Sequence, residues 1–225
     1  MRTLTQNEPM PADLKIDFVS DISCPWCAIG LASLEQALRC LDGEVRAELH
    51  FQPFELNPAM APGGEEMNAH LARKYGSTPE QQAASREAIR QRGAQVGFEF
   101  RKEGRDRIYN TFDAHRLLYW AGLEGADCQR SLKKALLAAY FTQGRNMEDH
   151  EVLAQAAADA GLDARRAREV LASGAYAQEV REQERFFTER GIQAVPSVVI
   201  NDRHLIQGGQ PPEVFEQALR QLAAA

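Results

Sequence analysis

Apolar and polar residues alternate from Leu14 to Val19, with Leu14, Ile16 and Phe18 set against Lys15 and Asp17 before the run closes on two adjacent apolar residues. That period of two predicts a strand entering a covered core. Asp21 and Ser23 turn the chain. Ile29, Leu31, Leu34, Ala37, Leu38 and Leu41 then recur at three- and four-residue steps, which predicts a helix from Cys24 to about Arg39 with one buried face, stopped by Asp42-Gly43. Alternation returns as Val45, Ala47, Leu49 and Phe51 against Arg46, Glu48 and His50, a half-covered second strand. The three elements form a βαβ unit whose right-handed crossover sets its strands parallel.

From Gln52 the pattern changes. Pro53, Pro58, Pro62 and Gly63-Gly64 break regular structure, and helical spacing then predicts Glu65 to Tyr75, Pro79 to Val96, Thr111 to Leu123, Cys128 to Gln143, His150 to Ala160, Ala164 to Ala172 and Tyr176 to Arg190. Thr78, Asp127, Asp149 and Asp163 stand where N-caps are expected. The charge-rich stretches Arg86 to Arg92 and Arg165 to Glu169 read as solvated faces. Strand signals resume in Val195 to Ile200, Asn201-Asp202 turns the chain into Arg203 to Gln207, and Pro211-Pro212 opens a last helix. The order is βαβ, helical block, ββα. It predicts an α/β chain in which residues 13–60 and 191–225 form one domain and residues 61–190 an inserted helical one.

Composition narrows the function classes. The 225 residues are 44% hydrophobic and 26% charged, which describes a folded globular chain. A formal net charge of −6 without a basic stripe argues against a nucleic-acid or anionic-membrane partner, and the apolar runs are too short to span a bilayer. Met1 to Asp13 carries no apolar core of a secretory signal, so a cytoplasmic location is expected.

The chemistry is concentrated in Ser23-Cys24-Pro25-Trp26-Cys27, at the join of the first strand and its helix. Two cysteines with two residues between them can close a small disulfide ring. The free N–H groups of the first helical turn favour an anion at Cys24. Cys27, one turn further in, is expected to be more buried and to keep its proton until a mixed disulfide forms at Cys24. A zinc site needs two more ligands, and Cys40, Cys128 and the histidines show no ligand spacing. A structural disulfide closing so short a loop would add little stability. Cys40 and Cys128 are expected to stay reduced, Trp26 to lie exposed beside the sulfur and Trp120 to be core.

With this order, and with the motifs Asp21 to Cys27, Phe51-Gln52-Pro53-Phe54-Glu55-Leu56-Asn57-Pro58, Tyr109 to Arg116, Val195-Pro196-Ser197 and Gly208 to Pro212, the chain resembles the thioredoxin superfamily. More closely it is similar to the DsbA family, in the branch of FrnE-like oxidoreductases related to kappa-class glutathione transferases and 2-hydroxychromene-2-carboxylate isomerases. The resemblance implies a thioredoxin fold with a large all-helical insertion, Cys24 as nucleophile and Cys27 as resolving thiol. It further implies an active-site loop of Pro25, Trp26, Val195 and Pro196, with Val195-Pro196 cis and facing the dithiol. Thioredoxin-like chains commonly carry a buried acid six positions before the first cysteine. Here that position is Phe18, which leaves proton removal from Cys27 to water or to the helical block.

Read from its residues alone, Asn110 to Arg116 is a helix start, capped by Asn110 or Thr111 with His115 packed inside. The resemblance turns this segment toward the dithiol and implies Asn110 and His115 as substrate contacts without an acid or base role. The function expected is thiol–disulfide oxidoreductase acting on protein or small-molecule thiols and disulfides, with glutathione a candidate co-substrate and no metal or other cofactor required. Two alternatives stay open. One is a glutathione-dependent isomerase or transferase, against which the retained Cys27 counts; the other is a non-enzymatic redox-sensing or chaperone adaptor. The oligomeric state is open, with a homodimer among the candidates.

Overall fold

The computed structural model describes residues 11–224. The first ten positions, which make up most of the Met1 to Asp13 stretch expected to lack a secretory signal, lie outside it.

β1 (Ala12–Ser20) alternates at its start and is then wholly buried, because both sheet faces are covered from Ile16 onward. α1 (Pro25–Cys40) follows, and β2 (Val45–Pro53) pairs parallel with β1 so that Phe18 lies opposite Phe51. A two-residue strand β3 (Glu65–Glu66) then leads into α2 (Met67–Tyr75), and α3 (Pro79–Gln95) is closed at its start by a capping box between Thr78 and Gln81. β4 (Arg107–Ile108) pairs with β3. The helix expected from Glu65 therefore begins at Met67, because Glu65 and Glu66 take part in this ribbon and the Glu66 carboxylate caps α2 through Asn68 and Ala69 N–H.

The block continues with α4 (Phe112–Glu124), α5 (Ala126–Phe141), α6 (His150–Asp159), α7 (Ala164–Ser173) and α8 (Ala177–Glu189). Asp149 and Asp163 cap α6 and α7 as their spacing predicts. Asp127 does not cap α5. That helix starts at Ala126 after Gly125, which leaves Asp127 in the first turn, where it faces the positive end of the helix.

β5 (Ser197–Ile200) returns antiparallel beside β1, β6 (His204–Gln207) completes the sheet in the order β2-β1-β5-β6, and α9 (Pro212–Ala223) closes the chain. One apolar core runs unbroken from Ile16, Phe18 and Val198 of the sheet, through Leu34 of α1 and Phe215 of α9, to Leu117, Leu136, Leu153 and Val170 of the helical block. On the other sheet face Val19 packs with Phe187 at the end of α8 and with Ile192. Fully burying such side chains contributes about 1.5–3 kcal/mol each. Among the described residues no helix is long and apolar enough to cross a membrane.

Candidate active site

The turn from β1 into α1 is built on Asp21, which is fully buried. Its carboxylate accepts from Ser23 N–H at 3.1 Å, Ser23 Oγ at 2.7 Å and Leu56 N–H at 2.7 Å, and His115 Nε2 stands 3.6 Å away. Burial works to raise this carboxyl, but His115 and the Leu56 and Ser23 donors together hold it well below the usual carboxylate range. One anion thus fixes the turn before the dithiol, the loop after β2 and the first turn of α4 in a single arrangement.

Cys24 occupies the N-cap of α1 in extended conformation, and Pro25 takes the first helical position, where no amide hydrogen is needed. Cys27 is fully buried and Cys24 nearly so, so the difference in burial expected of the two is small. Their chemistry differs nonetheless. The Cys27 thiol and the N–H groups of Cys27 and Trp26 pull the Cys24 pKa down against burial and against the Asp21 charge, while burial and the Cys24 sulfur push Cys27 well up. Sequence position therefore marks which thiol ionises first.

Val195-Pro196 is cis, and the Val195 carbonyl faces Cys24 Sγ at 3.6 Å. Gly30 and Gly209 allow this approach. A Cβ on Gly30 would stand 3.0 Å from Pro196 Cγ, and one on Gly209 would stand 3.0 Å from the Trp26 carbonyl oxygen. Trp26 is 41% exposed, while Trp120 is buried in the core. Pro25, Trp26 and Val195 border the same cavity as Cys24.

That cavity encloses about 570 Å³ between the dithiol and the helices α2 and α3. Met67, Leu71 and Ile89 give it an apolar floor, and Arg86, Arg90, Arg101, Lys102 and Arg105 bring cationic ends to its wall against the carboxylate of Glu87. Arg105 donates to the Ser23 carbonyl at 2.7 Å and lies over the Tyr140 and Phe141 rings at 4.8 and 4.6 Å. Arg86 and Arg90 have the spacing of a solvated face. They are exposed, but the turn of α3 against α2 places them at the mouth of the site.

The structure does not bring Asn110 to this cavity. Its Oδ1 accepts the Phe112 N–H as a cap for α4, and its own N–H donates to Glu148. His115 is buried behind the dithiol rather than in the cavity and lines a second space of about 10 Å³ with Lys133, Gln52 and Gln183. Glu55, within reach of the Asp21 charge, is paired with Arg181, which also holds Glu184 at 2.7 Å, and burial pushes the Glu55 carboxyl up to about 7. Cys40 is an exposed free thiol and Cys128 a half-buried one. Among the described residues no three His, Cys, Asp or Glu side chains gather as a metal site.

Sequence reasoning missed Lys133, Arg105 and the buried role of Asp21. Lys133 had a signal, since it shares the three- and four-residue spacing of Leu136, Leu137 and Tyr140 on the apolar face of α5. Arg105 lies between elements, where no periodicity marks it.

Comparison with known proteins follows the same outline. A family model described as a DSBA-like thioredoxin domain matches residues 15–220. A probable DsbA oxidoreductase of Streptomyces coelicolor is 37% identical and superposes with a TM-score of 0.85 over 92% of this chain and 89% of its own. The uncharacterized protein YwbO of Bacillus subtilis is 27% identical over 91% of this chain and 94% of its own. The cytosolic disulfide reductase DsbM of Pseudomonas aeruginosa, solved with GSH, is 17% identical with a TM-score of 0.65, covering 94% of this chain and all of its own; at that identity the likeness is one of fold.

Proposed function

The chain belongs to the DSBA-like thioredoxin domain family, and from that premise we propose that it exchanges electron pairs between thiols and disulfides through Cys24 and Cys27. The Cys24 thiolate attacks a substrate disulfide, one substrate sulfur leaves as a thiolate, and a mixed disulfide forms at Cys24. Cys27 then attacks Cys24 Sγ, which releases the second substrate thiol and leaves the Cys24–Cys27 disulfide. Run backward, the same steps oxidise a dithiol. The observation that carries this reading is the opposed pair: a Cys24 thiol pulled down and open to a cavity, one helical turn from a Cys27 thiol pushed up and sealed in the core.

Val195 and Pro196 complete the loop, and Val195 offers its carbonyl beside the sulfur to an extended thiol substrate. The cationic wall favours anionic thiols and disulfides, for which glutathione is the proposed co-substrate. No metal or other cofactor enters the proposed reaction. Retention of Cys27 supports an FrnE-like oxidoreductase over a glutathione-dependent isomerase. The free Cys40 and Cys128 thiols suit a reducing compartment, and the cytoplasm is the proposed setting.

The test is a redox titration in glutathione buffers read by Trp26 fluorescence, with Cys24→Ser and Cys27→Ser beside the natural protein. A reversible two-electron transition, lost in both variants, is expected. Its absence, together with glutathione-dependent isomerisation by Cys27→Ser, would replace this reading with the isomerase one.

A further inference from the structure

Cys27 must lose a proton to attack, and it is sealed from water. The β1 position below the dithiol is the buried, apolar Phe18. Neighbouring Asp17 is spent on Gln52 at 2.6 Å and Lys15 at 3.1 Å. The carboxylate of Asp21 is saturated by Ser23 and Leu56. Glu55 is engaged by Arg181 and His115 stands against Asp21 at 3.6 Å, and the base whose charge acts on Cys27 is the Lys133 amine.

Lys133 of α5 is fully buried, and among the described residues its Nζ has no hydrogen-bond partner. Its neighbours Arg130 and Lys134 point the other way, to Glu35 of α1 at 2.7 and 2.9 Å. Lys133 Nζ instead lies 5.9 Å from the centre of the Phe51 ring of β2 and borders the 10 Å³ cavity with His115 of α4 and Gln183 of α8. The charged and titratable groups whose fields reach it are Cys27, Asp21 and Cys24. A buried ammonium with no acceptor works against folding, so this residue is not there for stability.

We infer that Lys133 is the proton acceptor for Cys27. The inference rests on the dithiol reading proposed above. Uncharged Lys133 takes the thiol proton and becomes an ammonium. The Cys27 Sγ–Cys24 Sγ bond forms as the bond from Cys24 Sγ to the substrate sulfur breaks. The electron pair departs with the substrate thiolate, which is protonated by solvent, so the dithiol is oxidised by two electrons and the substrate disulfide reduced by two. In the reverse direction the ammonium returns the proton to Cys27. Burial brings the Lys133 pKa down to about 8 against the pull of Cys27, Asp21 and Cys24, which makes the uncharged amine accessible near neutral pH. His115 Nε2, without a hydrogen-bond partner among the described residues, shares a cavity of single-water size with Lys133.

The experiment is a single turnover of reduced protein with oxidised glutathione, acid-quenched and resolved by mass into mixed disulfide and Cys24–Cys27 disulfide. It compares the natural protein with Lys133→Met and Lys133→Arg from about pH 6 to about pH 10. Formation of the mixed disulfide by Lys133→Met is expected within about threefold of the natural rate. Its conversion is expected to slow at least about tenfold at neutral pH and to climb steadily with pH, whereas the natural protein levels off near the Lys133 ionisation. Lys133→Arg keeps the charge without giving up a proton and is expected to be slow as well. Conversion by Lys133→Met at the natural rate and with the natural pH profile would overturn the inference, as would full recovery by Lys133→Arg. If either variant fails to fold, the natural protein decides: conversion with no break near that ionisation overturns it. A natural protein that never converts its mixed disulfide overturns the dithiol reading and this inference with it, whereas conversion unaffected by Lys133→Met overturns this inference alone.

Discussion

Gly30 and Pro196 meet so closely that a methyl group on Gly30 would stand 3.0 Å from Pro196 Cγ and 3.4 Å from the Gly209 Cα. Both obstacles are rigid, one a ring and the other backbone. Gly30→Ala gains about 1 kcal/mol of helix propensity but forces the proline loop off the dithiol, at about 1–3 kcal/mol. The expected outcome is a protein no more stable than the natural one by urea unfolding, with oxidation of its dithiol by oxidised glutathione slowed several-fold. Normal dithiol kinetics in a stabilised variant would mean that the loop yields freely.

Asp21→Asn separates two roles of one carboxylate. Loss of the charge from a group saturated by buried donors is expected to cost about 2–4 kcal/mol, read by urea unfolding. Because the folded Asp21 pKa lies below its unfolded value, its contribution is fully present above the unfolded pKa and is lost as pH falls through the folded one. The stability deficit of Asp21→Asn should therefore be greatest at neutral pH and shrink in acid. The same negative charge raises Cys24. The midpoint of Cys24 alkylation against pH should therefore move downward in the variant, and an upward move would contradict the assigned field.

Arg105 tests the cationic wall. Arg105→Met keeps an apolar stem against Tyr140 and Phe141 while removing the guanidinium. The rate with oxidised glutathione is expected to fall about five- to tenfold, and the rate with uncharged hydroxyethyl disulfide to change by less than about twofold. Added salt should shrink the difference. Equal losses with both substrates would assign Arg105 to holding Ser23 rather than to attracting anions.

Lys133 also predicts a pH profile of stability. Its folded pKa of about 8 lies below the ordinary 10.5, so the native state binds fewer protons between those values and stability rises as pH climbs through that window. The measurement is best made on the oxidised protein, whose dithiol no longer titrates. Lys133→Met should lose this rise and be more stable at neutral pH by on the order of 3 kcal/mol. A Met variant less stable than the natural protein at neutral pH would show that the amine has an unseen partner.

The parts of this molecule that the sequence states openly are those with a local cause. Alternation fixes β1 and β2, the caps at Asp149 and Asp163 fix helix starts, and the dithiol sits at a strand–helix join that any reading of Cys24 to Cys27 locates. What stays hidden depends on distant pairing. Glu65 and Glu66 read as helix because their two-residue partner, Arg107–Ile108, lies about forty residues away and is too short for a period. Asn110 and His115 read alike as substrate contacts, yet the turn into α4 gives one to the backbone and folds the other behind the dithiol. Arg86 and Arg90 have the spacing of a wet surface, and only the placement of α3 over Cys24 makes that surface a wall of the site.

The core that runs without a break from β1 and β5 into α4, α5, α6 and α7 has a mechanical consequence. A helical cap resting on its own separate core could swing on a hinge and open wide for bulky partners. Here such a swing would have to pull Phe18, Leu117 and Leu136 out of one shared interior, so it amounts to unfolding the molecule. Among the described residues α2 and α3, which face Cys24 across the gap, contribute no side chain to that shared interior, so the width of the gap is set by how those two helices sit and not by the rest of the block. That pair of helices can shift while the shared interior stays closed, so the give of the gap lies in one wall and not in the molecule as a whole.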